Sequence, residues 1–285
     1  MKPFRHERST PEDIDTERDR KAPVEFRFSF RGRDALSLAE QESFKAVFKA
    51  SLAKLDAWCA HENWTPPSVA AFHVHVSDAY EISRALVPSW EGQRGRMEFP
   101  TRRVAAGKAA ITHELAHVYF PNGNRFLAEG FAVYMQDLLG DNPAFPNFGK
   151  PLHEAAGERW REIRSQFTPG AAAALAPVDL AALDATPTPN PLTLAAVRQL
   201  CPAEHRAQGV IYAMAGSFVQ FLIEIDGLAR FRALYDETPL IAGALASGIS
   251  QRWTDIYGRS LAELEAQWRR WIADVEAPAM ALWSP

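Results

Sequence analysis

The chain has little of several features that mark particular classes of protein. It contains two cysteines, Cys59 and Cys201, which are far apart and in no C-x-x-C arrangement, so neither a disulfide framework nor a sulfur-ligated zinc site is expected. It has no excess of basic residues, because 31 Lys and Arg stand against 35 Asp and Glu. A nucleic-acid partner is therefore not expected, since phosphate binding needs a broad positive surface.

Long apolar runs are also missing. No run approaches the roughly 20 apolar residues that a membrane-spanning helix needs, and the densely charged residues 1–23 lack the apolar core of a secretory signal. We therefore expect no membrane partner, a cytoplasmic location and a poorly ordered N-terminal segment. The remaining composition, with 47% hydrophobic and 23% charged residues among 285, is that of an ordinary globular protein.

Hydrophobic periodicity predicts strands first and helices later. Residues 24–30, VEFRFSF, and 68–76, SVAAFHVHV, alternate apolar and polar side chains as half-buried strands do, and 94–100, RGRMEFP, is a third candidate strand. Residues 37–64 indicate a long amphipathic helix. Its predicted buried stripe consists of Leu38, Phe44, Val47, Phe48, Leu52, Leu55 and Trp58.

These elements predict an α+β fold with two lobes. A small α/β lobe is expected at residues 24–120, a mainly helical lobe at 121–276 and a C-terminal tail at 277–285. The alanine-rich and proline-rich stretch at 171–200 is either a lid over a cleft or a solvated surface connection, and the second is the commoner case.

The string HELAH at residues 113–117 carries the clearest chemical signal. On a helix, His113 and His117 lie one turn apart on one face, so both imidazoles can be directed at one metal ion. Neutral imidazoles suit zinc. Glu114 lies about 100° round the helix and can reach a water on the metal without being a ligand. A chance HExxH is expected in on the order of one chain in a hundred of this length, so the motif needs support.

The residues after the motif supply that support. PNGN at 121–124 predicts an abrupt turn, after which a helix from Arg125 to about Gly140 can fold back and present Glu129 as a third ligand. Gly130 then removes a side chain where two helices approach closely. A solvated glutamate is generally commoner, but it fits poorly within the otherwise apolar LAEGFAVY. Two histidines and a carboxylate leave one coordination position open for water.

HELAH followed by FLAEGFAVY resembles the gluzincin metallopeptidases, in particular the peptidase MA-like group and the alanyl-type aminopeptidases. Their pattern is H-E-x-x-H, a spacer and an E-G-x-A helix. The resemblance covers roughly residues 70–272 and includes VIYAMAGSFVQFLIEIDG at 210–227 and YGRSLAELEAQWRRWI at 257–272. It implies a thermolysin-like catalytic domain that holds one zinc ion per chain in a cleft between its lobes and hydrolyses a peptide or protein substrate.

The resemblance also implies a role for each matching residue. His113, His117 and Glu129 would be the zinc ligands, Glu114 the general base, and Tyr212 a hydrogen-bond donor to the oxyanion. For Tyr212, a packing role in an apolar helix is an equal alternative.

Two positions depart from the family pattern. Ala128 replaces the usual asparagine, and Val133 stands where some gluzincins have an aspartate behind the ligands. The sequence therefore names no group that orients the histidines.

A substrate-binding strand is predicted just before the HELAH helix. GRMEFP at 95–100 is expected to be an edge strand that pairs its backbone with an extended substrate. Met97 and Glu98 resemble the G-x-M-E-N strand of the alanyl-type aminopeptidases, whose glutamate binds the substrate's amino terminus, although Phe99 replaces the asparagine. The favoured alternative for Glu98 is a charged residue on an edge strand, so endopeptidase and aminopeptidase action both stay open.

Three functions fit this sequence, and zinc-dependent peptide hydrolysis is favoured. The others are hydrolysis of a non-peptide amide or ester, and a catalytically idle domain that binds peptides or partner proteins around a structural zinc. Glu114 and the open coordination position argue against the idle domain, because structural sites have four protein ligands. His73 and His75 are a second candidate metal pair, but an H-x-H on a strand is more often its polar face. The pattern specifies no oligomeric state.

Overall fold

The computed structural model describes residues 24–32, 36–86, 95–164, 180–184, 204–240 and 249–274. The predictions for the N-terminal segment, the C-terminal tail and most of the stretch at 171–200 fall outside these residues.

Four strands form one small mixed sheet in the order β1-β2-β4-β3. They are β1 (Glu25–Arg31), β2 (Ala71–Ser77), β3 (Arg84–Leu86) and β4 (Arg96–Pro100). β1, β2 and β4 are parallel, and β3 is antiparallel to β4. The sequence predicts β1, β2 and β4 as strands but not β3, because three residues are too few to show a period of two.

The edge of the sheet is β3, so the prediction that residues 95–100 form an edge strand is wrong. β3 covers that side of β4 and places Ala85 opposite Met97 and Arg84 opposite Glu98. Met97 is fully buried, and only 2% of Glu98 is exposed. The free side of the sheet next to the HELAH helix is therefore the short strand β3.

Helices make up most of the rest of the described chain, which is therefore α+β, as predicted. They are α1 (Leu38–His61), α2 (Thr101–Ala105), α3 (Ile111–Tyr119), α4 (Arg125–Leu139), α5 (Leu152–Arg164), α6 (Leu180–Asp184), α7 (Glu204–Asp226), α8 (Leu228–Asp236), α9 (Gln251–Tyr257) and α10 (Leu261–Asp274). After β4 the described residues contain no further strand.

The apolar face of the sheet is covered by α1. A capping box of Ser37 and Glu40 starts this helix, since each side chain bonds the other residue's backbone N–H. The ring of Phe48 then lies edge-on to Phe28 and Phe72, with ring centroids 5.6 and 5.9 Å apart. Such edge-to-face pairs add to the stabilisation from area burial alone.

The predicted stripe of α1 is only partly correct. Phe44, Phe48, Leu52 and Leu55 are buried, but Leu38 is 79% and Val47 36% exposed. Leu38 is the first residue of the helix, and Val47 lies beside the stripe that faces the sheet. Periodicity marks the apolar side of a helix, but it does not show how much of that side the sheet covers.

Helix α7 contains a segment, Gly209–Asp226, that is long and apolar enough to cross a membrane by length and composition, although the sequence analysis expected none. In the fold, 67% of this segment is buried inside the protein. Its apolar stripe of Ile211, Ala215, Phe218 and Leu222 is fully buried. A core helix satisfies the same criteria of length and composition, so the segment is weak evidence for a membrane span.

Helix α4 packs more extensively against α7 than against any other element in the described chain. A Cβ atom added at Gly130 of α4 would lie 2.7 Å from the carbonyl oxygen of Ala215, and one added at Gly216 of α7 would lie 2.3 Å from Val133 Cγ1. The prediction that Gly130 marks a close helix approach is therefore confirmed.

Replacing Gly130 with alanine is expected to lower the free energy of unfolding by about 1–3 kcal/mol, because the backbone of α7 must shift to admit the methyl group. The matched control is Gly209→Ala on α7, where the new Cβ would meet Phe145 at an ordinary 3.5 Å. That change should be neutral or stabilising by up to about 1 kcal/mol through helix propensity. Urea unfolding of both variants measures the difference, and equal midpoints would contradict the close packing.

Candidate metal centre

The turn between α3 and α4 is held by Asn122. Its Nδ2 donates to the carbonyl oxygen of Tyr235 at 2.6 Å, and its Oδ1 accepts from the Asn124 backbone N–H at 2.7 Å. Asn124 in turn caps α4 by accepting from the Leu127 N–H at 3.0 Å. The turn predicted at 121–124 is present, and it sets the direction in which α4 returns past α3.

A buried polar network fixes the start of α4. Asn124 Nδ2 donates to Asp184 Oδ1 at 2.9 Å, and the Asp184 carboxylate also forms a buried ion pair with Arg252 and accepts from Trp253 Nε1 at 3.0 Å. The network ties α4 to α6 and α9 just over one turn before Glu129. A buried charge pair of this kind is costly to break, so the position of Glu129 along α4 is well defined.

Helix α4 also supports the first turn of α3, which has no side-chain cap of its own. Gln136 Oε1 accepts from the His113 backbone N–H at 3.2 Å. The amide of Gln136 contacts Asn142 Oδ1 at 3.3 Å, and Asn142 donates to the carbonyl oxygen of Ala109 at 2.6 Å. The backbone of His113 is thereby held by α4, the helix that also carries Glu129.

The three predicted ligands meet at one point. His113 Nε2 and His117 Nε2 are 3.1 Å apart, and Glu129 Oε2 lies 3.2 Å from the first and 3.3 Å from the second. Ligands about 2.0–2.1 Å from a tetrahedral zinc ion lie roughly 3.3–3.4 Å apart. The nearly equilateral triangle therefore matches three corners of such a site.

The hydrogen bonding around Glu129 also fits a metal cation. Glu129 Oε2 is buried, and within the described residues no N–H is directed at it with hydrogen-bond geometry. Buried carboxylate oxygens are otherwise almost always paired. Two imidazoles and one carboxylate form a donor set that a divalent metal completes.

Arg125, which is not among the site residues predicted from the sequence, fixes the other oxygen of this carboxylate. Its guanidinium lies 2.7 Å from Glu129 Oε1. Burial alone would raise the pKa of Glu129, but the charges of Arg125 and His117 outweigh this effect and hold the pKa well below its ordinary value. The available signal was the i, i+4 spacing of an arginine and a glutamate on one helix.

No group that orients the ring of His113 is found among the described residues. His113 Nδ1 is buried there without a hydrogen-bond partner. Val133, which replaces the family's aspartate, is fully buried and packs against Gly216 instead. The support observed behind the ligands therefore acts on the carboxylate, through Arg125, rather than on the imidazoles.

Glu114 lies beside the ligand triangle and is not part of it. It is buried and accepts a hydrogen bond from the backbone of Ala85 in β3. Burial raises the pKa of Glu114 to about 7, with a contribution from the charge of Glu129 and an opposing one from His113. The carboxyl group is therefore held next to the metal-binding atoms at a place where it can exchange a proton.

Tyr212 also reaches the centre, in the third turn of α7 rather than at its start. Its ring lies 6.0 Å from that of His113 between centroids, and its hydroxyl is in hydrogen-bonding contact with Arg125 and Glu129. Burial and the charge of Glu129 raise the pKa of Tyr212 well above its ordinary value, so the hydroxyl keeps its proton. The tyrosine therefore lines the pocket and also packs against the core.

A pocket opens in front of these groups. Residues 82–85 of the β3 region line one part of it, and Arg103, Phe145 and Tyr212 line another. Its volume is about 320 Å³, at the lower end of the range for small-molecule sites. The histidines and both glutamates also line it.

Two other predicted sites do not reach this pocket. Met97 and Glu98 are not among its lining residues, and the Glu98 carboxylate is engaged by Arg84 and Arg96. The antiparallel partner β3 separates them from the pocket side of the sheet. His73 and His75 belong to no group of three potential metal ligands in the described chain.

Comparison of the chain with protein-family models gives no match, and no curated protein matches it either. Function is therefore inferred from the site itself.

Proposed function

We propose that the chain is a zinc-dependent peptide hydrolase of the gluzincin type. The observation that carries the proposal is the 3.1–3.3 Å triangle of His113, His117 and Glu129 with Glu114 held beside it in a pocket. Three protein ligands leave a coordination position for water, as catalytic zinc sites do. The resemblance of the HELAH and LAEGFAVY segments to gluzincins supports zinc as the metal and a thermolysin-like domain as the fold.

The side chains around the ligands suit hydrolysis of an amide bond. His113, His117 and Glu129 would hold the zinc ion, which would supply a Lewis acid that lowers the pKa of water towards about 7. Glu114 takes a proton from the attacking water and later passes it to the nitrogen of the leaving amine. The Tyr212 hydroxyl donates a hydrogen bond to the carbonyl oxygen as negative charge develops there.

The edge of β3 is the proposed binding strand for the substrate backbone. Its pairing side away from β4 has no strand partner among the described residues, and residues 82–85 line the pocket. An extended peptide can add to such an edge through backbone hydrogen bonds. With Glu98 outside the pocket, its proposed amine-binding role loses support, and cleavage inside a peptide is the form of hydrolysis that we propose.

The test combines metal analysis with a cleavage profile. Purified protein is expected to hold about one zinc ion per chain and to cleave members of a mixed peptide library. Matched peptides with free and acetylated amino termini should be cleaved at similar rates. If zinc-loaded protein cleaves no peptide, amide or ester in broad panels, the proposal is overturned and the catalytically idle binding domain is favoured. If it cleaves only esters or non-peptide amides, the alternative of a non-peptide hydrolase is favoured.

Replacing Tyr212 with phenylalanine is expected to lower turnover about 10²–10³-fold, because one donor to the oxyanion is lost. Zinc content should not change. The matched control is Tyr257→Phe, which removes a buried hydroxyl that has no hydrogen-bond partner in the described chain and does not line the pocket. Equal turnover of wild type and Tyr212→Phe would return Tyr212 to a packing role.

A further inference from the structure

Arg103 lines the pocket, and no carboxylate of the described residues forms an ion pair with it. It lies on α2, and its guanidinium forms no hydrogen bond or ion pair with any described residue. The guanidinium instead lies over the ring of Phe145, 6.0 Å from the centroid. The side chain is partly buried, and burial lowers its pKa. An arginine held in this way has all five of its N–H donors available to a ligand.

The other arginines of the pocket are matched by carboxylates. Arg84 pairs with Glu98, and Arg125 pairs with Glu129. Among the lining residues this leaves Glu114 as the remaining negative charge, and it is the proposed base. A divalent cation in the site would make the pocket distinctly positive, which attracts an anionic ligand.

A row of neighbouring aromatic rings runs from Arg103 to the proposed metal ligand His113. Phe145, on which Arg103 stacks, lies 5.7 Å from Tyr212, and Tyr212 lies 6.0 Å from His113 between ring centroids. The charge of Glu114 acts on Arg103 as well. Arg103 and His113 line the same pocket, so a substrate bound at His113 can extend towards this guanidinium.

We propose that Arg103 binds a carboxylate of the substrate, so that peptides with an acidic group close to the cleaved bond are preferred. A guanidinium can give a carboxylate two parallel N–H···O bonds, and stacking on Phe145 fixes its plane. The carboxylate is either an Asp or Glu side chain or the free C-terminus of a short peptide. This proposal rests on the proposed function, whose substrate class it specifies.

The first experiment compares matched peptides on zinc-loaded protein. One pair differs by Glu against Gln at a position next to the cleaved bond, and the other by a free against an amidated C-terminus. For the wild type we expect kcat/KM to be about 10–100-fold higher for the carboxylate member of one pair, and the pair that responds identifies the source of the carboxylate. In Arg103→Gln this preference should disappear, so that the two members of that pair are cleaved with equal kcat/KM.

The neighbouring Arg102 provides the control. Its guanidinium donates to the carbonyl oxygen of Glu81 at 2.9 Å, and it does not line the pocket. Arg102→Gln removes the same charge from the same helix and should keep the full preference. Arg103→Glu should reverse the preference toward a Lys-containing peptide, which a merely structural role for Arg103 would not produce.

A binding measurement separates failure of this inference from failure of the proposed function. Fluorescence anisotropy of labelled carboxylate and amide peptides on Glu114→Gln protein, with and without Arg103→Gln, reports recognition without turnover. Cleavage of both members of each pair at equal rates by the wild type would overturn the role of Arg103 alone. If no peptide were cleaved, the hydrolase proposal would fail, and equal binding of the carboxylate and amide peptides would overturn carboxylate recognition too.

Discussion

Replacing His113 with alanine is expected to remove zinc from the protein and to abolish turnover. The change takes one corner from a triangle whose edges are 3.1–3.3 Å, and two remaining protein ligands hold zinc far more weakly than three. After dialysis the variant should retain little zinc, whereas the wild type should retain about one ion per chain. Elemental analysis against protein concentration measures the difference.

Thermal unfolding gives a second measurement of the loss of zinc binding in His113→Ala. A metal that binds the folded state stabilises it by RT ln(1 + [L]/Kd), which is about 4 kcal/mol at a thousandfold excess over Kd. The melting temperature of the wild type should therefore rise with added zinc, and that of His113→Ala should not. The double variant His73→Ala, His75→Ala is the control and should behave like the wild type. If His113→Ala kept its full zinc content and the control lost zinc, the metal site would instead lie at His73 and His75 on β2.

The local part of the metal site was predictable from sequence, because it depends on spacing along one helix. His113, Glu114 and His117 share α3, so a period of 3.6 residues fixes which side chains point together. Glu129 required one more inference, that PNGN at 121–124 reverses the chain, and Asn122 and Asn124 do form that turn. Turn chemistry is also local, and so this inference succeeded.

The features that were missed depend on contacts between distant segments. β3 has three residues, and only its pairing with β4 makes it a strand. Consequently, the prediction that residues 95–100 form the pocket edge was wrong, and Glu98 lies against Arg84 and Arg96 instead of facing a substrate. No periodicity in residues 82–86 could show where this segment pairs.

Charged side chains of the pocket were missed for a related reason. Arg125 and Arg103 come from different helices, and their sequence neighbourhoods resemble those of ordinary surface arginines. Their distinct roles follow from what surrounds them in the fold. Arg125 pairs with Glu129, whereas Arg103 lies over the ring of Phe145 and pairs with no carboxylate among the described residues. A sequence gives the charge of a residue, but the fold decides whether that charge is matched.

Replacing Glu114 with glutamine is expected to lower turnover about 10²–10⁴-fold, the usual contribution of a positioned base, and to leave zinc in place. Glutamine keeps the shape of the side chain and an oxygen that can accept the hydrogen bond from Ala85, but it cannot take a proton from water. The zinc content is expected to stay because Glu114 is outside the ligand group. Single-turnover rates and elemental analysis on the same preparation separate the two effects.

The matched control for this change is Glu98→Gln, which alters a second buried glutamate outside the pocket. Because its partners Arg84 and Arg96 remain, some stability should be lost, while turnover of the folded protein should match the wild type on both free and acetylated peptides. Zinc loss in Glu114→Gln would make that residue a ligand and contradict its role as base. A selective loss of free-amine cleavage in Glu98→Gln would instead restore the aminopeptidase alternative, because the only change is at the carboxylate that the sequence resemblance assigns to the amino terminus.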